Sequence, residues 1–152
     1  MKTITDNILK VFVILAIAIV TLSCSKDDEV KMPEILEFEL GHNNSKTVRA
    51  GSHLHIDAEI LAENRIDVIE IDIHYEGEHV KSLRIAGADH GWEFEISYDK
   101  FRGLKNTTFH EDIDVPADAR PGEYHFHFKV IDMEGYTASF EDDLIVLEPE
   151  IE

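Results

Sequence analysis

Tyr124-His125-Phe126-His127-Phe128-Lys129-Val130-Ile131-Asp132 reads as a strand buried on one side. Successive side chains of an extended chain point to opposite faces. Tyr124, Phe126, Phe128 and Val130 therefore share one face, and His125, His127 and Lys129 share the other. The first set suits a core; the second is polar and carries two imidazoles. The same alternation recurs at His53-Leu54-His55-Ile56-Asp57-Ala58-Glu59-Ile60, with apolar residues on one parity and metal-ligand types on the other. Two such strands imply a β-sandwich with histidines on its outer faces.

The flanking segments continue the pattern. Residues 132–135 close a hairpin in which Gly135 suits positive φ, and residues 136–147 form the last strand. Residues 116–122 are a Pro- and Gly-containing corner. Residues 107–115 place Phe109, Glu111, Ile113 and Val115 on one parity and His110, Asp112 and Asp114 on the other, with Glu111 the awkward member of its set. Phe94, Ile96 and Tyr98 alternate after Trp92, which a loop at 86–91 delivers, and residues 80–85 read as an edge strand. Residues 66–75 send Ile69, Ile71, Ile73 and Tyr75 inward and Glu70, Asp72 and His74 outward. Residues 52–61 and 35–40 complete the set, the latter with Leu36, Phe38 and Leu40 on one parity. No helix of ordinary length and no internal repeat has a place in this chain, so the expected class is all-β, an antiparallel sandwich of roughly seven to eight strands.

Residues 1–23 read as a targeting segment. Lys2 and Lys10 flank a short basic start, and residues 11–22 run apolar. That run covers about 18 Å as helix against a hydrocarbon core of about 30 Å, so a cleaved signal peptide fits better than a span. Thr21-Leu22-Ser23-Cys24 resembles the lipobox of bacterial lipoproteins, with Leu22 two places before the cysteine instead of three. The resemblance implies lipidation at Cys24. Ser25-Lys26-Asp27-Asp28-Glu29 resembles the acidic export tag of Bacteroidota lipoproteins, which implies an acidic tether over 24–33 and a place on the outer membrane, at the cell surface. A plain secreted protein with a free thiol is the alternative, and a lone cysteine has no intramolecular disulfide partner.

The chain carries a formal charge of −18, and loss of residues 1–23, which hold Lys2, Lys10 and Asp6, leaves it one unit more negative. Nucleic acid and anionic headgroups are repelled by such a surface. Cations, sugars or basic protein surfaces are the expected partners.

The run from Pro116 through Pro121-Gly122-Glu123-Tyr124-His125-Phe126-His127-Phe128 to Glu134-Gly135 is similar to the final corner, strand and hairpin of bacterial immunoglobulin-like modules. Together with Gly51-Ser52-His53-Leu54-His55, Ile71-Asp72-Ile73-His74 and the segment from Phe109 to Pro116, it resembles a family of short Bacteroidota lipoproteins of unknown function. The resemblance implies an immunoglobulin-like sandwich over residues 34–148 and brings no activity with it.

Nine histidines are present, at 42, 53, 55, 74, 79, 90, 110, 125 and 127. In an immunoglobulin-like sandwich the second and fifth main strands are neighbours in one sheet, and the third and sixth in the other. One outer face then carries His53, His55 and His110 with Asp57, Glu59, Asp112 and Asp114. The other carries His74, His125 and His127 with Glu70, Asp72 and Lys129. Placing Glu70 opposite Lys129 as a charge pair also puts Asp72 opposite His127 and His74 opposite His125. Same-face neighbours along a strand lie about 6.6 Å apart and cross-strand partners about 5 Å, so His74, His125, His127 and Asp72 are expected to converge on one Zn²⁺ or Cu²⁺ ion. His53, His55 and His110 are candidate ligands on the opposite face, whereas His42, His79 and His90 fall in loops or at a strand start. The competing interpretation is that the histidines are ordinary surface residues of an acidic protein.

Catalysis has little support. His110-Glu111 is followed by Asp114 where a zinc protease has its second histidine, and the segment is a strand instead of a helix. No serine or cysteine stands in a nucleophile context. Two binding functions remain: a surface lipoprotein that sequesters Zn²⁺ or Cu²⁺, with an outer-membrane transporter as a natural partner, or an adhesion or accessory module whose sheet face or loop tips, those around Trp92 included, bind a surface protein or glycan, the histidines being incidental.

Overall fold

The computed structural model describes residues 30–76 and 91–150. Eight strands are formed there: β1 (Glu34–Leu40), β2 (Thr47–Arg49), β3 (His53–Leu61), β4 (Ile66–Tyr75), β5 (Phe94–Tyr98), β6 (Asn106–Asp114), β7 (Gly122–Asp132) and β8 (Thr137–Leu147). They make two sheets, one ordered β1-β3-β6 and the other β2-β8-β7-β4-β5. The fold is the all-β immunoglobulin-like sandwich expected, with β3 beside β6 and β4 beside β7. The edge strand expected at 80–85, His79, His90 and the segment containing Cys24 lie outside the described residues.

Alternation along the strands builds the core. Leu54, Ile56, Ala58 and Ile60 of β3 face Ile69, Ile71 and Ile73 of β4 and Tyr124, Phe126, Phe128 and Val130 of β7, all at most 2 % exposed. Aromatic rings bridge the two sheets: Phe38 of β1 stacks on Phe140 of β8 at 3.9 Å, and Phe128 lies 5.0 Å from Phe38 and 5.1 Å from Phe109 of β6. Edge-to-face arrangements of this kind add to the area they bury.

Two polar anchors fix the ends of β7. The Tyr124 hydroxyl donates to the Arg120 carbonyl at 2.7 Å and accepts from the Trp92 backbone N–H at 3.1 Å, an arrangement that matches the tyrosine corner of immunoglobulin-like domains. Asp132, 1 % exposed, accepts from Asn64 Nδ2 and from the backbone N–H groups of Glu134 and Tyr136. Its carboxylate therefore organises the β7–β8 turn, in which Gly135 adopts φ +85°.

Three departures from the sequence pattern have physical causes. A bulge between Ile35 and Glu37 shifts the register of β1, so Leu36 is 55 % exposed and Ile35 packs against the core instead. Strand β2 has no counterpart in the periodicity; three residues are too few to show a period, and they pair in parallel with β8. Glu111 does lie on the inward parity of β6, the edge strand of its sheet, opposite Ile56, and is neutralised by an ion pair with Lys100. Burial, and secondarily the Glu111 charge, raises the pKa of Tyr98 in the same region.

Candidate metal centre

The outer face of the larger sheet follows from its register. Glu70 pairs with Lys129, Asp72 with His127 and His74 with His125. Lys129 Nζ lies 3.0 Å from Glu70 Oε2, so the charge pair that implies this register is formed. Strand β8 extends the pattern, with Glu141 opposite His127 and Asp143 opposite His125. One row across the sheet is thus Glu141–His127–Asp72–Glu95, and the next is Asp143–His125–His74.

Within these rows three imidazoles meet. Ring centroids are separated by 4.1 Å for His125 and His127, and by 5.5 Å for His74 with either of them. His74 Nδ1 donates to Asp72 Oδ1 at 2.6 Å, and His127 Nδ1 lies 3.4 Å from Glu141 Oε1. His125 Nδ1 is 3.7 Å from Glu76 and 3.9 Å from Asp143. An ionised carboxylate can only accept, so at His74 the Asp72 carboxylate holds the ring proton on Nδ1 and leaves the Nε2 lone pair available in the neutral imidazole, whereas the carboxylates near His125 and His127 approach without a hydrogen bond. Potential ligand atoms within 4.8 Å of one another form two sets that share His127: Asp72, His74 and His127, and His125, His127 and Glu141. A third set, Glu76, His125 and Asp143, adjoins them. The single cluster of three histidines and Asp72 is therefore divided into overlapping triads. Glu141, Glu76 and Asp143 are additions that the strand alternation alone does not supply. The hairpin turn holds the missing signal, because His127 and Glu141 lie equally far from Glu134 along the chain.

On the smaller sheet β3 and β6 pair His53 with Asp114, His55 with Asp112 and Asp57 with His110. His55, Asp57 and His110 come within ligand reach of one another. His53 does not join them; 69 % of its side chain is exposed, and among the described residues its ion pair is with Asp114, at 2.7 Å. His42, a loop residue by sequence, stacks on His55 with ring centroids 4.8 Å apart. Of the acidic residues near the last hairpin, Asp132 anchors the turn and Asp142 pairs with Lys46 at 2.6 Å.

The hydrogen bond that His110 donates to Asp57 raises the pKa of this exposed imidazole, and the hydrogen bond that His55 donates to Asp112 lowers that of the carboxylate. For His110 the protonated form is favoured in the fold, so its stabilising contribution is complete below the ordinary histidine value and is lost as pH rises through the raised one. The Asp112 contribution is present above the ordinary carboxylate value and is lost as pH falls through the lowered one. In the metal-free protein the His110 Cε1–H resonance should therefore titrate above the ordinary histidine midpoint. Asp57→Asn should move that midpoint down, and an unmoved midpoint would show that Asp57 is not its cause.

Trp92 is 7 % exposed and its indole packs against Phe94 and Tyr124, which makes it a core residue and no platform for a sugar.

None of the curated proteins matches the sequence. Among solved structures, the crystal structure of wild-type OgpA from Akkermansia muciniphila is similar with a TM-score of 0.51 and 13 % identity, over 76 % of this chain and 29 % of that one. The likeness is one of fold, and this chain spans less than a third of that protein's length. A family model described as a domain of unknown function, DUF4625, matches residues 22–147, and the chain belongs to that family.

Proposed function

We propose that this protein is a non-enzymatic metal-capture module, held by a lipid on Cys24 at the outer membrane surface, that sequesters Zn²⁺ or Cu²⁺ for an outer-membrane transporter. The observation that carries the reading is the meeting of His74, His125 and His127 on one sheet face, with Asp72 hydrogen-bonded to His74 and further carboxylate oxygens 3.4 to 3.9 Å from the Nδ1 atoms of the other two. The Asp72 carboxylate fixes the tautomer of His74, and a backing group of this kind raises the basicity of a metal-ligating imidazole. Mixed imidazole and carboxylate donors suit Zn²⁺ and Cu²⁺. The surrounding acidic surface concentrates cations, and the burial of Trp92 removes the main support for glycan binding through that ring.

Isothermal titration of Zn²⁺ and Cu²⁺ into the metal-stripped protein, beside a His125→Ala/His127→Ala variant, tests the proposal. A saturable site that the variant loses, and that weakens in acid because imidazole must be neutral to ligate, is the expected result. Weak, nonsaturating heat that is unchanged by the variant would refute it.

A further inference from the structure

The opposite outer face repeats the same ligand arrangement. On β4, Asp72 and His74 stand two residues apart, and His127 lies across from the aspartate on β7. On β3, His55 and Asp57 stand two residues apart, and His110 lies across from the aspartate on β6. In both places two imidazoles and one carboxylate have donor atoms within 4.8 Å of one another. The order of aspartate and histidine along the strand is reversed between the two, but the composition and the cross-strand relation are the same.

Local contacts order the second group. His110 Nδ1 lies 2.9 Å from Asp57 Oδ2, and His55 Nδ1 lies 3.0 Å from Asp112 Oδ1. The His55 and His110 rings meet edge to face at 5.0 Å. Only 13 % of the His55 side chain is exposed, because His42 lies flat against it with the rings 9° from parallel. His42 belongs to a short 3-10 turn at His42–Asn44, fastened by Asn43 N–H to Glu39 Oε1 at 2.7 Å and by Leu40 N–H to Asn44 Oδ1 at 3.2 Å. His55 is thus held in place before any ion arrives, while His110 stays open to solvent.

We infer that His55, Asp57 and His110 form a second, separate site for a divalent transition-metal ion, so that each chain takes up two ions, one on each outer face. Two imidazoles and a carboxylate supply three donors, the number a Zn²⁺ site has when it keeps a position for water or an exogenous ligand. Asp112 holds the His55 ring from behind. The sheets of a sandwich stack about 10 Å apart with the core between them, so no side chain is shared between the faces. This site does not depend on the one proposed above.

The test counts Zn²⁺ bound to the metal-stripped full-length chain by equilibrium dialysis and follows histidine Cε1–H resonances by NMR. Wild type should bind two ions, and His55→Ala/His110→Ala and His74→Ala/His127→Ala should each bind one. In the latter variant Zn²⁺ should still shift the His55 and His110 signals. Unshifted His55 and His110 signals in the wild-type protein, which need no substitution to observe, would overturn the inference, as would a full count of two in His55→Ala/His110→Ala. If the larger sheet binds nothing, wild type and His74→Ala/His127→Ala bind one ion and His55→Ala/His110→Ala none, which upholds the second site while rejecting the first.

Discussion

His127→Ala is expected to lower the Zn²⁺ affinity of the larger sheet about a hundredfold or more, whereas His74→Ala and His125→Ala should each cost far less. His127 is the member common to both triads. Without His74, the set of His125, His127 and Glu141 is intact, and without His125, the set of Asp72, His74 and His127 is intact. Loss of His127 leaves each triad with one histidine. Loss of an orienting partner alone commonly costs 10- to 100-fold in metal affinity, and loss of a shared ligand should cost no less. Titration calorimetry of the three single variants at one pH checks the ranking. Equal losses in all three would mean that the imidazoles act on one ion together and that the division into triads is not respected in solution.

Much of this site is legible in the sequence because strand registers leave marks there. Lys129 is the only lysine or arginine within β4 and β7, and setting Glu70 against it fixes the rest of the face. The partners from β8 are not legible in the same way, because an acidic last strand reads as an edge, whereas β8 lies between β7 and β2. His53 shows the opposite limit. Its parity matches that of His55, but parity places a side chain on a face without saying whether it converges, and at the end of β3 it pairs with Asp114 and joins no ligand group among the described residues. The bulge at Leu36 and the short β2 are hidden for a related reason: each depends on pairing with a distant strand, which local periodicity does not record.

Phe128→Ala should destabilise the domain by about 3 to 5 kcal/mol. Its ring is fully buried on β7 and touches Phe38 of β1 and Phe109 of β6, so truncation opens a cavity between the sheets. The neighbouring rings are themselves held by strand pairing, which limits collapse into the space. Against a typical total of about 5 to 15 kcal/mol, this loss is a large share, and the melting temperature should fall by about 10 to 20 °C. Denaturant unfolding of wild type and variant checks it; a loss below about 1 kcal/mol would mean that the aromatic bridge between the sheets repacks freely. The histidine faces point away from this core, so a Phe128→Ala chain that remains folded should keep its metal stoichiometry.

The parallel pairing of β2 with β8 also bears on how the chain reaches this structure. Thr47 meets Ile145 and Arg49 meets Leu147, so almost the whole sandwich lies within the loop that this contact closes. Closing long loops has an entropic cost that grows slowly with length and must be met before the contact gives anything back. Topologies dominated by such distant pairings fold in milliseconds to seconds, not microseconds. During synthesis, β2 has no partner until the last strand has left the ribosome. The edge beyond β8 is thus among the last parts of the sheet to be closed.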